Sequence, residues 1–365
     1  MLSRRVAAII GFQVRNLSKK LNYINKPTMK QVHEELLLHI DPQPKINICA
    51  DIQVIVRVAD VHAYPNGDVF IAELHGGHVK NCGSAMNIKV SEDEKEVDVK
   101  LTKLTEDTDF HCELMVPVRS SLNIKSKANC ILSNLHSDDI CVDAEKNIKT
   151  TDIRATNITF NSKNGDVNCA GLLLGNETNI ATEGNGEITL NKPLGNMLKC
   201  RTISGNITTN SCYSNSSFFE TDFGRLKLKN VHKQSKVVVH KNGRLEMTGV
   251  HGNINLHING GDINLQLTEI HGESNVYNVA NTESIINVSD EVEANTHIAV
   301  KSALIVLDPS LSHLNSCLCP ESKKFSLKRE DTNPNQLNVW SKGCVKLGKK
   351  SWTEITTTLF NVSKK

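Results

Sequence analysis

The sequence predicts an all-β protein whose body is a single-stranded β-solenoid. This is a parallel β-helix-like stack of about 19-residue coils, with a β-rich N-terminal region and a C-terminal cap. Three observations carry this. Between Thr156 and Leu267 one phrase recurs: a turn pair ending in Gly, any residue, an apolar residue, any residue, and usually a second apolar one. Its glycines, Gly165, Gly186, Gly205, Gly224, Gly243 and Gly261, are 21, 19, 19, 19 and 18 residues apart. Aromatic residues make up only 4% of the chain, whereas a narrow coil is filled by Ile, Val, Leu and Thr. Asn is frequent, as tight turns require.

An Asn-Gly pair between alternating apolar residues also signals a β-hairpin, so the phrase alone fits an antiparallel sheet or a propeller. A propeller blade uses about 40 to 50 residues, twice this period, and carries aromatic signatures. A coil of about 19 residues instead holds two strand segments and two corners and advances about 4.8 Å. On this reading Ile207 and Leu226, each two residues after a turn glycine, occupy equivalent inward positions of consecutive coils. Asn206 then points outward, and Asn206→Asp should change stability by about 0.5 kcal/mol or less.

In chain order, residues 1–25 hold Arg4, Arg5, Arg15, Lys19 and Lys20 and no acid, with Val6, Ile9, Ile10 and Val14 near helical spacing. This resembles a mitochondrial presequence, with the matrix as the destination. Secretion is the alternative, favoured by seven Asn-x-Ser/Thr sequons but weakened by a short apolar core without a small-x-small site. Residues 33–118 alternate as a β-rich region, a small sheet or the first irregular coils. Residues 119–308 carry the solenoid, with a weak second corner at Val231-His232, Val250-His251-Gly252 and Ile270-His271-Gly272. Residues 309–337 turn to Ser, Cys, Lys and Pro and read as a loop or linker. Residues 338–360, with Trp340 and Trp352, read as capping strands.

Beyond residue 25 the balance is 37 basic against 40 acidic residues, which with no basic stripe argues against a nucleic-acid partner. No apolar run of about 18 residues exists, so no transmembrane segment is expected. The eleven cysteines are odd in number and irregularly spaced, which fits reduced thiols better than a disulfide scaffold.

His232, His251 and His271 are 19 and 20 residues apart, so stacking would set them in a ladder that could bind a metal or sense pH. Exposed corner residues are the plainer reading, since no carboxylate or Cys shares the spacing. His75-Gly76-Gly77-His78, with His62 upstream, could gather imidazoles, and reads more simply as a glycine turn. Cys317 and Cys319 could chelate a soft metal, but their nearest partner, Cys344, is 25 residues on. Asp166, Glu187 and Asp262 each follow a turn glycine, the kind of array that the carboxylates of a β-helix carbohydrate hydrolase or lyase require. Asn206, Arg225 and Arg244 interrupt them. No catalytic constellation is expected, and no cofactor.

The run from Met115-Val116-Pro117 through Leu122 and the Gly-x-Ile-x-Leu phrases resembles the putative-adhesin repeat domain of unknown function. The layout of basic leader, β-rich front, repeats and Trp-containing end resembles the animal proteins called family with sequence similarity 185 member A. The resemblance spans roughly residues 45–360 and implies a β-solenoid without catalytic residues. The expected function is therefore a non-enzymatic scaffold that binds a protein partner, with the carbohydrate-active β-helix enzyme as the alternative.

Overall fold

The computed structural model describes residues 31–76, 86–103, 110–312, 316–319, 324–327 and 334–350. The expected leader, Gly77, His78 and Trp352 lie outside these residues. The strands form two facing sheets joined by corners, because each pass of the chain crosses from one sheet to the other and back.

The front of the chain contributes β1 (Gln31–His39), β2 (Lys45–Ala50), β3 (Gln53–Val58), β4 (Val69–Gly76), β5 (Met86–Val90), β6 (Glu96–Leu101) and β7 (His111–Val116). These are followed by β8 (Ser121–Ser126), β9 (Cys130–Ser133) and β10 (His136–Ala144). Strand β2 lies parallel between β6 and β8, and β3 lies parallel between β7 and β9. The β2–β3 coil is thus inserted between two coils that come later in the sequence. Antiparallel strands cover the free edges: β5 on β6, β4 on β7, and β1 on β4. An open parallel edge would offer unpaired N–H and C=O groups to another chain, and these strands occupy them.

In the middle, β11 (Ile148–Ser162), β12 (Val167–Thr182), β13 (Ile188–Thr202), β14 (Ile207–Thr209), β15 (Tyr213–Thr221), β16 (Arg225–Val239) and β17 (Arg244–Ile258) stack parallel in sequence order. Each long strand bends between the sheets. Ile188, Ile207, Leu226 and Leu245 are successive partners in one fully buried column, so Ile207 and Leu226 are neighbours as the repeat predicts. In the opposite sheet Phe160, Ile180, Cys200, Phe219, Val237 and Leu256 form the facing column. The two large rings are spread along this column, and the coil is too thin for more.

The repeat glycines recur for close approach rather than for a left-handed turn. Of the six, only Gly261 has a positive φ. A Cβ on Gly205 would lie 1.7 Å from the carbonyl oxygen of Gly186, and one on Gly224 would lie 1.8 Å from that of Gly205. Any side chain here would push successive coils apart. Left-handed backbone recurs at the second corner, at Asn134, Asp152, Gly171, Asn230 and Gly249.

Asparagine is likewise used less for turns than the sequence implies. Asn157 donates to Asp139 at 2.7 Å, Asn161 to Asp143 at 2.7 Å, and Asn215 to Asn196 at 2.6 Å. Each bond runs from one coil to the one before, so the amides form ladders along the stack.

The end of the chain repeats the insertion seen at the front. It contains β18 (Ile263–Ile270), β19 (Glu273–Asn278), β20 (Ser284–Val288), the short helix α1 (Asp290–Asn295), β21 (Thr296–Leu307), β22 (Ser316–Cys319), β23 (Lys324–Leu327) and β24 (Asn335–Lys349). Strand β24, the last described, inserts parallel between β19–β20 and β21. Antiparallel β23 and β22 then cover one sheet edge of β21. Trp340 sits in an outward row between Tyr277 and Lys301.

Candidate functional site

The expected histidine ladder forms in part. Tyr213, His232 and His251 occupy one outward row, with Tyr213 and His232 rings stacked at 4.5 Å and His232 and His251 at 4.9 Å. His271 does not join them. The register slips at the second corner, so the partner of His251 is Glu269, and His271 moves into the corner loop with Gly272. Glu269 lies between the two imidazoles, 3.8 Å from His251 Nδ1 and 3.3 Å from His271 Nε2. A carboxylate therefore does share this row, which the 19- and 20-residue spacing concealed. Burial, and then the neighbouring His251, hold the His232 imidazole below its usual pKa.

The row continues toward the N-terminus as Leu194, Leu174, Arg154 and His136. Leu174 and Tyr213 are 39% and 40% exposed, and Met197 beside them 39%. At its N-terminal end the row opens into a groove of about 570 Å³ lined by Arg119, His136, Arg154 and Leu174. Neither Arg119 nor Arg154 is in an ion pair among the described residues. The outcome is an outward stripe of apolar and aromatic side chains on parallel strands, ending in a groove where Arg119 and Arg154 outnumber Asp138. Sequence periodicity exposes the His positions of this stripe but not Leu174 and Arg154, which the bends in β11 and β12 bring into line.

A larger groove, about 740 Å³, lies beside the glycine corners. Its charges alternate in sign, Lys100, Lys125 and Lys163 with Asp143 and Glu183, and Lys127 pairs with Asp51 at 2.8 Å. It favours neither anion nor cation.

The acidic residues after the turn glycines have a structural use. Asp166 Oδ1 accepts the Glu187 backbone N–H at 2.9 Å, and Glu187 Oε1 accepts from the Asn206 side chain at 2.6 Å. Asn206 Oδ1 in turn accepts the Arg225 N–H at 2.9 Å. At these three positions the side chain latches one coil to the next, taking a backbone N–H in the case of Asp166 and Asn206 and the Asn206 amide in the case of Glu187. Asn206 is thus an outward residue with two partners, and the small cost expected for its replacement needs revision.

Cys317 and Cys319 lie on β22, with their side chains outside the described structure, and Cys344 lies on β24. The eight described cysteines are unpaired. Burial pushes the thiols of Cys112 and Cys169 up to about 12 and that of Cys130 to about 11, so these are core side chains rather than nucleophiles. His62 is an exposed turn residue away from any described imidazole cluster, whereas His75 meets His111. The sequence offers no link between those two, since 36 residues separate them; antiparallel pairing of β4 with β7 brings them together.

Part of the chain is similar to known proteins. Residues 177–302, about a third of the chain, match the family described as Toastrack DUF4097. A crystal structure of a putative adhesin from Parabacteroides merdae is similar at 11% identity and a TM-score of 0.40, covering 86% of this chain and 95% of its own. A putative adhesin from Parabacteroides distasonis is similar at 12% identity and a TM-score of 0.39, with the same coverage. No helix among the described residues is long and apolar enough to cross a membrane. The part of the stack from within β12 to within β21 is thus similar to the Toastrack DUF4097 family.

Proposed function

We propose that the protein is a non-enzymatic β-solenoid scaffold that holds a protein partner along one sheet. The observation that carries this is the outward row Leu174, Leu194, Tyr213, His232 and His251, in which Leu174 and Tyr213 are exposed and the others half-buried, and which runs into the groove of Arg119 and Arg154. An apolar stripe with aromatic anchors and a basic end fits a partner segment bearing apolar side chains and carboxylates. The scaffold is read as working in the mitochondrial matrix, on the acid-free basic leader, with secretion as the alternative. Unpaired, largely buried thiols support a reducing compartment. The resemblance of the layout to the family with sequence similarity 185 member A proteins is part of the same reading.

The test is proximity labelling in the native cell with three versions: the intact chain, a Leu174→Glu/Tyr213→Glu variant, and a Lys149→Glu/Lys227→Glu control on the opposite sheet. Specific neighbours should disappear with the first variant and persist with the control. Identical labelling from all three would refute the interaction face. Mass spectrometry of the native N-terminus reads the compartment, because import predicts loss of the leader and an intact Met1 contradicts it.

A further inference from the structure

The outer face of the antiparallel strands at the N-terminal end carries a group that the scaffold reading does not use. On β4, Glu73 and His75 alternate to one side; on β7, His111 and Glu113 do the same. The register sets Glu73 opposite Glu113 and His75 opposite His111. Beyond β4, Glu35 on β1 stands opposite Glu73. Three carboxylates thus cross three adjacent strands in a row, and like charges directly opposite one another destabilise a sheet. One guanidinium lies against this row: Arg57 on β3 approaches Glu113 Oε2 at 3.1 Å.

Beside the carboxylates the two imidazoles stack with centroids 5.0 Å apart. His75 Nε2 is 3.1 Å from Glu73 Oε2, and His111 Nε2 is 3.7 Å from Glu113 Oε1. Arg57 therefore holds one oxygen of Glu113 while the other faces His111. One ligand atom from each of His75, His111 and Glu113 lies within 4.8 Å of the others. The side chain of His111 is only 6% exposed, and those of His75, Glu73 and Glu113 are 12%, 23% and 24% exposed. Two imidazoles and a carboxylate, largely shielded from water, are the donor set that borderline divalent metals prefer.

We propose that His75, His111 and Glu113 bind a divalent transition metal of the zinc class, with Glu73 as the carboxylate that orients His75. Ligand distances of about 2.0 to 2.2 Å require the three donors to draw together by roughly an ångström each. Side-chain rotation supplies that, since each ligand stands on a different position of a fixed β-ladder. The bound cation offsets the repulsion along the carboxylate row. It also ties β4 to β7, the strand pair that closes one sheet edge of the stack.

The test uses the full chain, stripped with chelator and desalted, and Co²⁺ as the probe. One equivalent should bind with the visible d–d absorption of a low-coordinate site, and Zn²⁺ should displace it. Glu113→Gln, which keeps the side chain's shape, and His75→Gln, which removes the imidazole, should each weaken Co²⁺ binding by about 100-fold or more. His271→Gln serves as a distant control and should bind as the intact chain does. Zn²⁺ should raise the Tm of the intact chain and leave that of His75→Gln unchanged, a readout that also shows each variant to be folded. Absence of the Co²⁺ spectrum, or full binding by folded Glu113→Gln or folded His75→Gln, would overturn the site.

Discussion

Between Ile148 and Ile258 every coil hydrogen-bonds to the coils before and after it in the sequence, with β14 and β15 together forming the coil between β13 and β16, while at both ends the chain interleaves. The β2–β3 coil slots between later coils, and β24 slots between β20 and β21. A stack of nearest-neighbour contacts can be built one coil at a time and can fray one coil at a time. An inserted strand cannot leave without unpairing both neighbours, so the interleaving locks the last coils. The middle therefore owes its stability to repetition, and the ends owe theirs to topology.

The same chemical insult in the two regions sharpens this difference. Ile207 is fully buried in the middle, and Val339 is 3% exposed on β24 between Val276 and Val300. A buried aspartate loses the side chain's burial, about 1.5 to 3 kcal/mol, and adds the desolvation of an unpartnered charge. Ile207→Asp should cost about 5 kcal/mol or more and lower the urea midpoint of the whole array. Val339→Asp should cost as much locally but act on the end. Hydrogen exchange should show protection lost from β19, β20, β21 and β24 and kept from β11 to β16. Loss of protection in all strands together would show that the two regions unfold as one.

Glycine substitutions separate close approach from backbone conformation. Gly205→Ala places a methyl against the Gly186 carbonyl, with backbone on both sides and no flexible neighbour to yield, and should cost about 3 kcal/mol or more. Gly184 has a φ of +63° and open space around it. Gly184→Ala should therefore cost only the left-handed conformation, about 1 to 2 kcal/mol. Equal losses in denaturant melts would mean that coil spacing is not set by the glycine column.

Asn206 gives a smaller effect than either. Replacement by Asp removes the donor to Glu187 and sets two carboxylates side by side, while the acceptor to Arg225 remains. The cost should be about 1 kcal/mol, above that of an ordinary surface change and far below that of Ile207→Asp. A urea melt in which Asn206→Asp matches the intact chain would show that the latch contributes nothing.

The smallest effect concerns pH. His232 has a folded-state pKa below its unfolded value, with Tyr213 and His251 on its two faces and Glu269 beyond. The unfolded chain then takes up its proton first as pH falls. The stability contribution of neutral His232 is present above about pH 6.5 and declines as pH drops through the folded pKa. Urea midpoints measured on either side of that pH should differ less for His232→Gln than for the intact chain. An unchanged difference would remove His232 from the acid response.

Several features were legible because the physics that imposes them is local. A strand alternates its side chains every two residues, so Ile188, Ile207, Leu226 and Leu245 declare their inward positions in the sequence. A stack of equal coils must repeat at one period, so the glycines declare the corner. The His232–His251 pair followed from the same arithmetic, and the arithmetic failed at His271, where two residues loop out of register and Glu269 takes its place. Local pattern carries no information about a slip that costs nothing in alternation.

By itself, then, the sequence determined the strand period, the coil length and which side chains face inward, since these depend on residues a fixed number of positions apart. The tertiary structure alone decided that β2–β3 and β24 insert out of order, that the glycines serve to bring coils together, and that His75 meets His111 and Glu113. Those outcomes depend on which strand edges are left open once the coils stack. An open edge accepts any strand that can reach it, whatever its distance along the chain.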